Sequence, residues 1–188
     1  MKHSLVKQNI IETASNLFYQ KGYNLTGINE IIKEAGIAKA TLYNHFKSKD
    51  AICLAYLDYK NDAFSKNIAA FVAEKPQGKD QCIAIFDFLR LFFEDSSFNG
   101  CWCINTISEL PRDNETIRKK IQAQKRGFIS FIENIVAHNF TSKPAKEQIL
   151  LAKHIYILYE GAISESHLPQ APWPIDSARE LCRHILSS

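Results

Sequence analysis

Residues 38–49 combine hydrogen-bonding side chains with small ones in a single short segment. The side chains that we expect to face base edges in a DNA groove are Lys39, Ala40, Thr41, Asn44 and His45. Lysine, asparagine and histidine offer hydrogen bonds to base edges, and the threonine hydroxyl or methyl suits either kind of contact. Tyr43, Lys47 and Lys49 lie on the far side, where phosphates would run. The pattern predicts a helix that reads the major groove of DNA.

A second candidate for chemistry is the pair of thiols at Cys101 and Cys103. A metal site would need further soft ligands, and no second cysteine pair or histidine cluster at recognisable spacing supplies them. On a helix, residues i and i+2 also point about 200° apart, so the two thiols would not easily share an ion. We therefore expect no metal and no cofactor. A regulator that responds to oxidation or to a metal through these cysteines is kept as an alternative.

The histidines give no sign of a catalytic centre. His138, His154, His167 and His184 have no paired carboxylate at metal-ligand spacing. The sequence also contains no Ser/His/Asp arrangement, P-loop or glycine-rich phosphate loop. We expect that the protein is not an enzyme. A small-molecule-binding or enzymatic protein with an inactive DNA-reading segment is the remaining alternative.

The elements that would position these residues are predicted to be helices, because apolar residues recur at helical spacing and strand patterns are absent. The first helix is expected to end at Gly22, and the second to run from a Thr26 cap to Gly36. Ser48 is expected to cap a long helix that reaches about residue 73. Further helices are predicted at about 80–95, 101–110, 112–139, 144–167 and 175–187. The predicted fold is all-α, with about nine helices.

Charge is distributed unevenly along the 188 residues. Residues 1–50 hold seven of the 23 basic and four of the 20 acidic side chains, so the whole net charge of +3 lies there. This asymmetry is expected when one end of a chain meets phosphate. No apolar run approaches the length of a membrane span, and no signal peptide is evident. With five cysteines, we expect a reduced, cytoplasmic protein that has no membrane partner.

Several residues together resemble the TetR family of bacterial transcriptional regulators. They are Gly22-Tyr23, Thr26, Glu30-Ile31, Ala35-Gly36-Ile37, Lys39, Thr41-Leu42-Tyr43, Phe46 and Ser48-Lys49-Asp50. The resemblance implies a helix-turn-helix domain at residues 1–47 and a ligand-binding and dimerisation domain at 48–188. It implies a repressor that binds a palindromic DNA operator as a homodimer and leaves it when a small ligand binds. By resemblance, the DNA contacts are Thr26, Lys39, Thr41, Tyr43, Asn44, His45 and Lys49.

Two positions depart from the family pattern. Ala38 stands where a serine usually begins the recognition helix, so that helix is expected to lack its cap. Asn44 and His45 stand where the family usually has Tyr or Trp, which leaves the operator sequence open.

The effector site is predicted from a phenylalanine-rich segment at residues 83–93. The residues expected to line an apolar cavity are Phe86, Phe93, Trp102, Phe128 and Tyr156. Polar anchors are predicted at Arg90, Asn105 and Glu160. An effector of this kind would be apolar or aromatic. Plain core packing of the same rings is the alternative.

The last two predicted helices carry more apolar surface than one core needs. The helix at 144–167 is apolar around most of its circumference, and the final helix has a continuous apolar stripe. Glu160-Gly161-Ala162 also resembles a signature of the eighth helix in the family. The residues predicted to form a dimer interface are Ile155, Leu158, Gly161, Ala162, Leu181 and Ile185.

Overall fold

The computed structural model describes residues 2–187, with side chains from Ser4 onward. Its helices are α1 (Lys2–Lys21), α2 (Ile28–Glu34), α3 (Lys39–His45), α4 (Lys49–Ala73), α5 (Lys79–Glu94), α6 (Trp102–Glu109), α7 (Glu115–Asn139), α8 (Ala145–His167) and α9 (Trp173–Ile185). Over these residues the prediction of an all-α fold with nine helices is confirmed. No helix in the described part of the chain is long and apolar enough to cross a membrane.

The predicted start of the long helix is confirmed by its cap. The Ser48 hydroxyl oxygen accepts a hydrogen bond from the Ala51 backbone N–H at 3.1 Å. This bond satisfies one of the amide groups that a helix leaves without a partner in its first turn.

The predicted cap at Thr26 is wrong. Gly27 occupies the N-cap position of α2, and no side chain caps that helix. The Thr26 side chain is instead fully buried, and its hydroxyl donates a hydrogen bond to the Gly22 carbonyl at 2.8 Å. Thr26 therefore closes the turn after α1 and does not begin α2. Gly22 itself adopts φ +89°, in the left-handed region that favours glycine.

The chain divides into two structural units. Unit 1 comprises residues up to Ala63 together with Trp102–Gln124, and unit 2 comprises Phe64–Cys101 and Lys125–Ser188. The division does not follow the predicted domain limits, because the first part of α4, all of α6 and the start of α7 pack with α1–α3. The separation into functional domains at residues 47 and 48 stays a prediction.

Each unit has its own buried apolar residues. In unit 1 they include Ile10, Ile31, Leu42 and Leu57, which lie on four different helices and are fully buried. In unit 2, α9 packs against α5 and α8. The buried residues of unit 2 include Phe86, Leu89, Ile132 and Ile155.

Candidate DNA interface and effector site

The short helix α3 is held by two apolar anchors. Leu42 is fully buried and Phe46 is 5% exposed, which fixes one side of α3 against the rest of unit 1. The backbone of Ala38 is extended at the N-cap position and no side chain caps the helix there, as expected from alanine. The tertiary anchors stabilise this two-turn helix, because a helix of this length is not stable alone.

The remaining residues of α3 include the predicted base contacts and Tyr43. Lys39, Ala40, Tyr43 and Asn44 are exposed, while Thr41 and His45 are partly buried. Exposed groups on one side of a helix can enter a DNA groove as a set.

Two lysines flank this surface. Lys47 is exposed, and its ammonium donates a hydrogen bond to the Tyr43 carbonyl at 3.1 Å. The Lys49 Nζ lies 4.3 Å from the centre of the Tyr23 ring, at the start of α4. Such a cation–π contact positions the charge without neutralising it.

Thr26 does not belong to this surface. Its side chain is fully buried and its hydroxyl is already used by the Gly22 carbonyl. The prediction that this side chain contacts DNA is therefore corrected.

The first turn of α4 is organised by Asp50. Tyr23 donates its phenolic proton to one Asp50 carboxylate oxygen, and the Asn114 amide donates to the other at 2.9 Å. Burial, with a further contribution from Asp50, raises the pKa of Tyr23 well above its usual range. Tyr23 therefore keeps its proton and remains a donor at neutral pH.

The comparison with known proteins identifies this helix-turn-helix. Residues 10–56 match the family described as "Bacterial regulatory proteins, tetR family". This segment of the chain is therefore similar to the DNA-binding part of the TetR family.

Full-length similarities extend this finding. The HTH-type transcriptional repressor NemR of Escherichia coli strain K12 is 21% identical, over 97% of this chain and 94% of NemR. A TetR-family regulator from Streptomyces coelicolor has a TM-score of 0.88 at 23% identity, covering 98% of this chain and 95% of that one. FadR from Bacillus subtilis, in complex with stearoyl-CoA, has a TM-score of 0.76 at 21% identity, covering 96% and 97%.

In unit 2, the candidate effector residues form part of an aromatic cluster around Phe128. The Phe128 ring centre lies 4.8 Å from that of Tyr159, 5.3 Å from that of Phe64 and 6.1 Å from that of Tyr156. Phe86 is fully buried, with its ring centre 6.5 Å from that of Tyr159. Sequence reasoning missed Phe64 and Tyr159, although each lies on a helix already singled out.

A charged pair lies close to this cluster along α7 and α8. The Lys125 ammonium contacts both carboxylate oxygens of Glu160 at 2.6 Å, and the two side chains are only 20% and 18% exposed. The same Nζ lies 3.3 Å from the Cys101 sulfur. Lys125 was not predicted, although it precedes Phe128 by one helical turn.

The other effector candidates are dispersed. The Arg90 guanidinium donates to both carboxylate oxygens of Asp176, at 3.1 and 3.0 Å, and to Glu94 at 3.0 Å. Its donors therefore join α5 to α9, and its role as an effector anchor stays a prediction. Phe93 packs edge-on against Phe98, with ring centres 5.1 Å apart.

Trp102 and Asn105 belong to unit 1, whereas Phe128 belongs to unit 2. Trp102 is buried, with the Lys60 Nζ 5.8 Å from its ring centre. The Asn105 carbonyl accepts a hydrogen bond from the Ser108 hydroxyl at 2.9 Å. Their role in effector binding stays a prediction.

The predicted interface residues divide by burial. Ile155 and Ala162 are 0% and 3% exposed in the single chain, so they have no surface to offer a partner, and their assignment is corrected. Leu158, Gly161 and Ile185 keep part of their surface, and Leu181 is 52% exposed. Exposed apolar residues that were not predicted extend this face: Ile149, Leu150 and Ile157.

The thiols are all enclosed by the fold. All five cysteines are buried, and none of them forms a disulfide within the residues described. Cys101 belongs to unit 2, whereas Cys103 belongs to unit 1 and lies 3.7 Å from the Gln124 side-chain oxygen. Among the residues that the structure describes, no group of three or more His, Cys, Asp or Glu side chains could hold a metal ion.

Proposed function

We propose that this protein is a cytoplasmic transcriptional repressor that binds a palindromic operator as a homodimer and releases it when an apolar or aromatic effector binds. The single observation that carries the DNA-binding part is that Lys39, Tyr43 and Asn44 are exposed on α3, while Leu42 anchors the same helix in the core. The proposed function consists of binding to DNA and to an effector and includes no covalent reaction.

The test of DNA recognition is the double substitution Lys39→Ala and Tyr43→Ala. Both side chains are exposed, so the fold should survive. Loss of a base or phosphate contact costs about 1–3 kcal/mol each, so we expect affinity for the operator to fall at least about tenfold, measured by fluorescence anisotropy. Glu12→Ala, an exposed change on α1, is the matched control. Undiminished affinity of the double variant would contradict the assignment of α3.

A dimer is supported by the exposed apolar residues of α8 and α9. One recognition helix contacts only a few bases, whereas two related by a two-fold axis read half-sites about 34–36 Å apart. The apolar side chains left exposed by the single chain, such as Ile157 and Leu181, would be covered by a second copy.

Effector binding is supported by the aromatic rings around Phe128 and by the paired charges of Lys125 and Glu160. Aromatic rings favour the apolar part of a ligand, and a largely buried ion pair offers both a donor and an acceptor to a polar group of that ligand. FadR, whose structure resembles this fold, binds stearoyl-CoA. Because α4 and α7 contribute residues to both units, an effector that shifts either helix changes the state that binds DNA.

A panel of long-chain acyl and aromatic compounds tests this proposal. A compound that raises the melting temperature of the protein should also release the labelled operator, and Phe128→Ala should weaken both effects. A compound that binds tightly and leaves operator affinity unchanged would contradict the release mechanism.

A response to oxidants is the second candidate, and one contact favours it. The Lys125 ammonium lies 3.3 Å from the Cys101 sulfur, and a neighbouring cation stabilises the reactive thiolate. If this candidate is right, peroxide releases the operator from the unmodified protein and from Cys103→Ser, but not from Cys101→Ser. Release that is the same in all three proteins would exclude it.

A further inference from the structure

The turn between α6 and α7, residues 110–114, lies against the helix-turn-helix within unit 1. Two side chains at its ends, Glu109 and Asn114, make polar contacts to segments that precede or follow the DNA-reading helices. Neither side chain lies in the part of the sequence that matches the family. Both lie more than 50 residues along the chain from the groups they contact.

The first contact joins the end of α6 to the turn after α1. One Glu109 carboxylate oxygen accepts the Asn24 backbone N–H at 2.7 Å, and the Asn24 amide donates back to the Glu109 carbonyl at 2.9 Å. The carboxylate also packs so closely on Gly22 that a Cβ at that position would overlap it. The turn that leads into α2 therefore cannot shift without disturbing the end of α6.

The second contact joins the start of α7 to the start of α4. The Asn114 amide donates to one oxygen of Asp50 at 2.9 Å, while Tyr23 donates to the other. The Asn114 side-chain oxygen accepts the Ile117 backbone N–H at 3.2 Å and so caps α7. One side chain thus fixes the beginnings of both helices.

These contacts also influence the position of Lys49, a lysine that is predicted to face phosphate. Lys49 precedes Asp50, and its ammonium lies over the Tyr23 ring that Asp50 holds. The position of this charge relative to α3 depends on Asp50, Tyr23 and Asn114 together.

We propose that Glu109 and Asn114, at the two ends of the α6–α7 turn, are positioning residues that set the geometry of the DNA-reading helices. The inference rests on the proposed function, since it assigns a positioning role to contacts of a DNA reader. Linkage makes the coupling reciprocal: if the turn affects DNA binding, then DNA binding affects the turn.

The test exchanges the partners of one hydrogen bond. In Asn114→Asp, the new carboxylate still caps α7, because aspartate is a good N-cap residue, but it can no longer donate to Asp50. In the double variant Asn114→Asp with Asp50→Asn, the bond is restored in the reverse direction, and residue 50 still accepts the Tyr23 proton. Asp50→Asn alone controls for the loss of charge beside Lys49.

Two readouts are compared for these proteins on the duplex selected from random DNA. They are duplex affinity and the change in amide hydrogen exchange at residues 110–118 when the duplex binds. In the unmodified protein, binding should slow exchange at these residues. Asn114→Asp should lose that change and bind the duplex about tenfold more weakly, within the range typical of allosteric coupling, and the double variant should recover both.

The outcomes separate the two proposals. Specific binding with no change in exchange at residues 110–118, or a double variant that regains its melting temperature but not its affinity, would overturn the inference and leave the proposed function standing. Failure of the unmodified protein to prefer any duplex would overturn the proposed function, and the inference with it.

Discussion

At the residue scale, Thr26 stabilises the turn after α1, although its place in the sequence near the DNA-reading helices predicts a DNA contact. Its side chain is fully buried, and the hydroxyl donates to the Gly22 carbonyl at 2.8 Å. Thr26→Val keeps the shape but leaves that carbonyl without its donor. We expect the free energy of unfolding in urea to fall by about 1–3 kcal/mol, the cost of an unsatisfied buried polar group.

Thr26→Ser is the matched control, because it keeps the hydroxyl and removes only a methyl group. If the valine and serine variants lose equal stability, the methyl packing dominates and the hydrogen bond contributes little.

At the element scale, α3 lacks a side-chain cap that its backbone could use. Ala38 has φ −75° and ψ 150°, the extended conformation of an N-cap residue, and its side chain is exposed. Ala38→Ser should stabilise the protein by about 1 kcal/mol, because the new hydroxyl can accept an orphan N–H of the first turn. The change is measured by the shift of the urea midpoint.

Ala38→Val provides the comparison, since valine, like alanine, is a poor N-cap residue and supplies no hydroxyl. A serine variant no more stable than the valine variant would contradict the expected cap.

The elements themselves could be predicted from the sequence because their signals are local. Apolar spacing and the Ser48 cap placed the long helix at 48–73, and the structure has it at Lys49–Ala73. The exposed side of α3 likewise follows from the inward-facing Leu42 and Phe46. These features depend on residues within one or two helical turns of each other.

Features that depend on distant partners could not be predicted in this way. Arg90 was assigned to an effector, but it pairs with Asp176, 86 residues further along the chain. Glu109 received no role, although it binds Asn24 across 85 residues. No local spacing rule identifies such partners, because tertiary packing brings them together.

At the scale of the whole molecule, binding to a palindromic operator requires two copies of the chain. Ile157 is 66% and Leu181 52% exposed on α8 and α9. Replacing both by Glu would place charge in a face that a second copy is expected to cover. Sedimentation velocity should then show a monomer where the unmodified protein is a dimer, with operator affinity reduced at least about tenfold because only one half-site is held at a time.

Leu5→Glu is the control, since Leu5 is 69% exposed on α1, away from α8 and α9 in the chain. A double variant that still sediments as a dimer would place the interface elsewhere.

Selection of random duplex DNA by the purified protein, at low and at physiological salt, decides whether α3 reads a DNA sequence. A two-fold symmetric regulator predicts a palindrome with half-sites about one helical turn apart, retained at the higher salt. Retention of DNA without sequence preference, and only at low salt, would contradict the account of α3 as a specific reader.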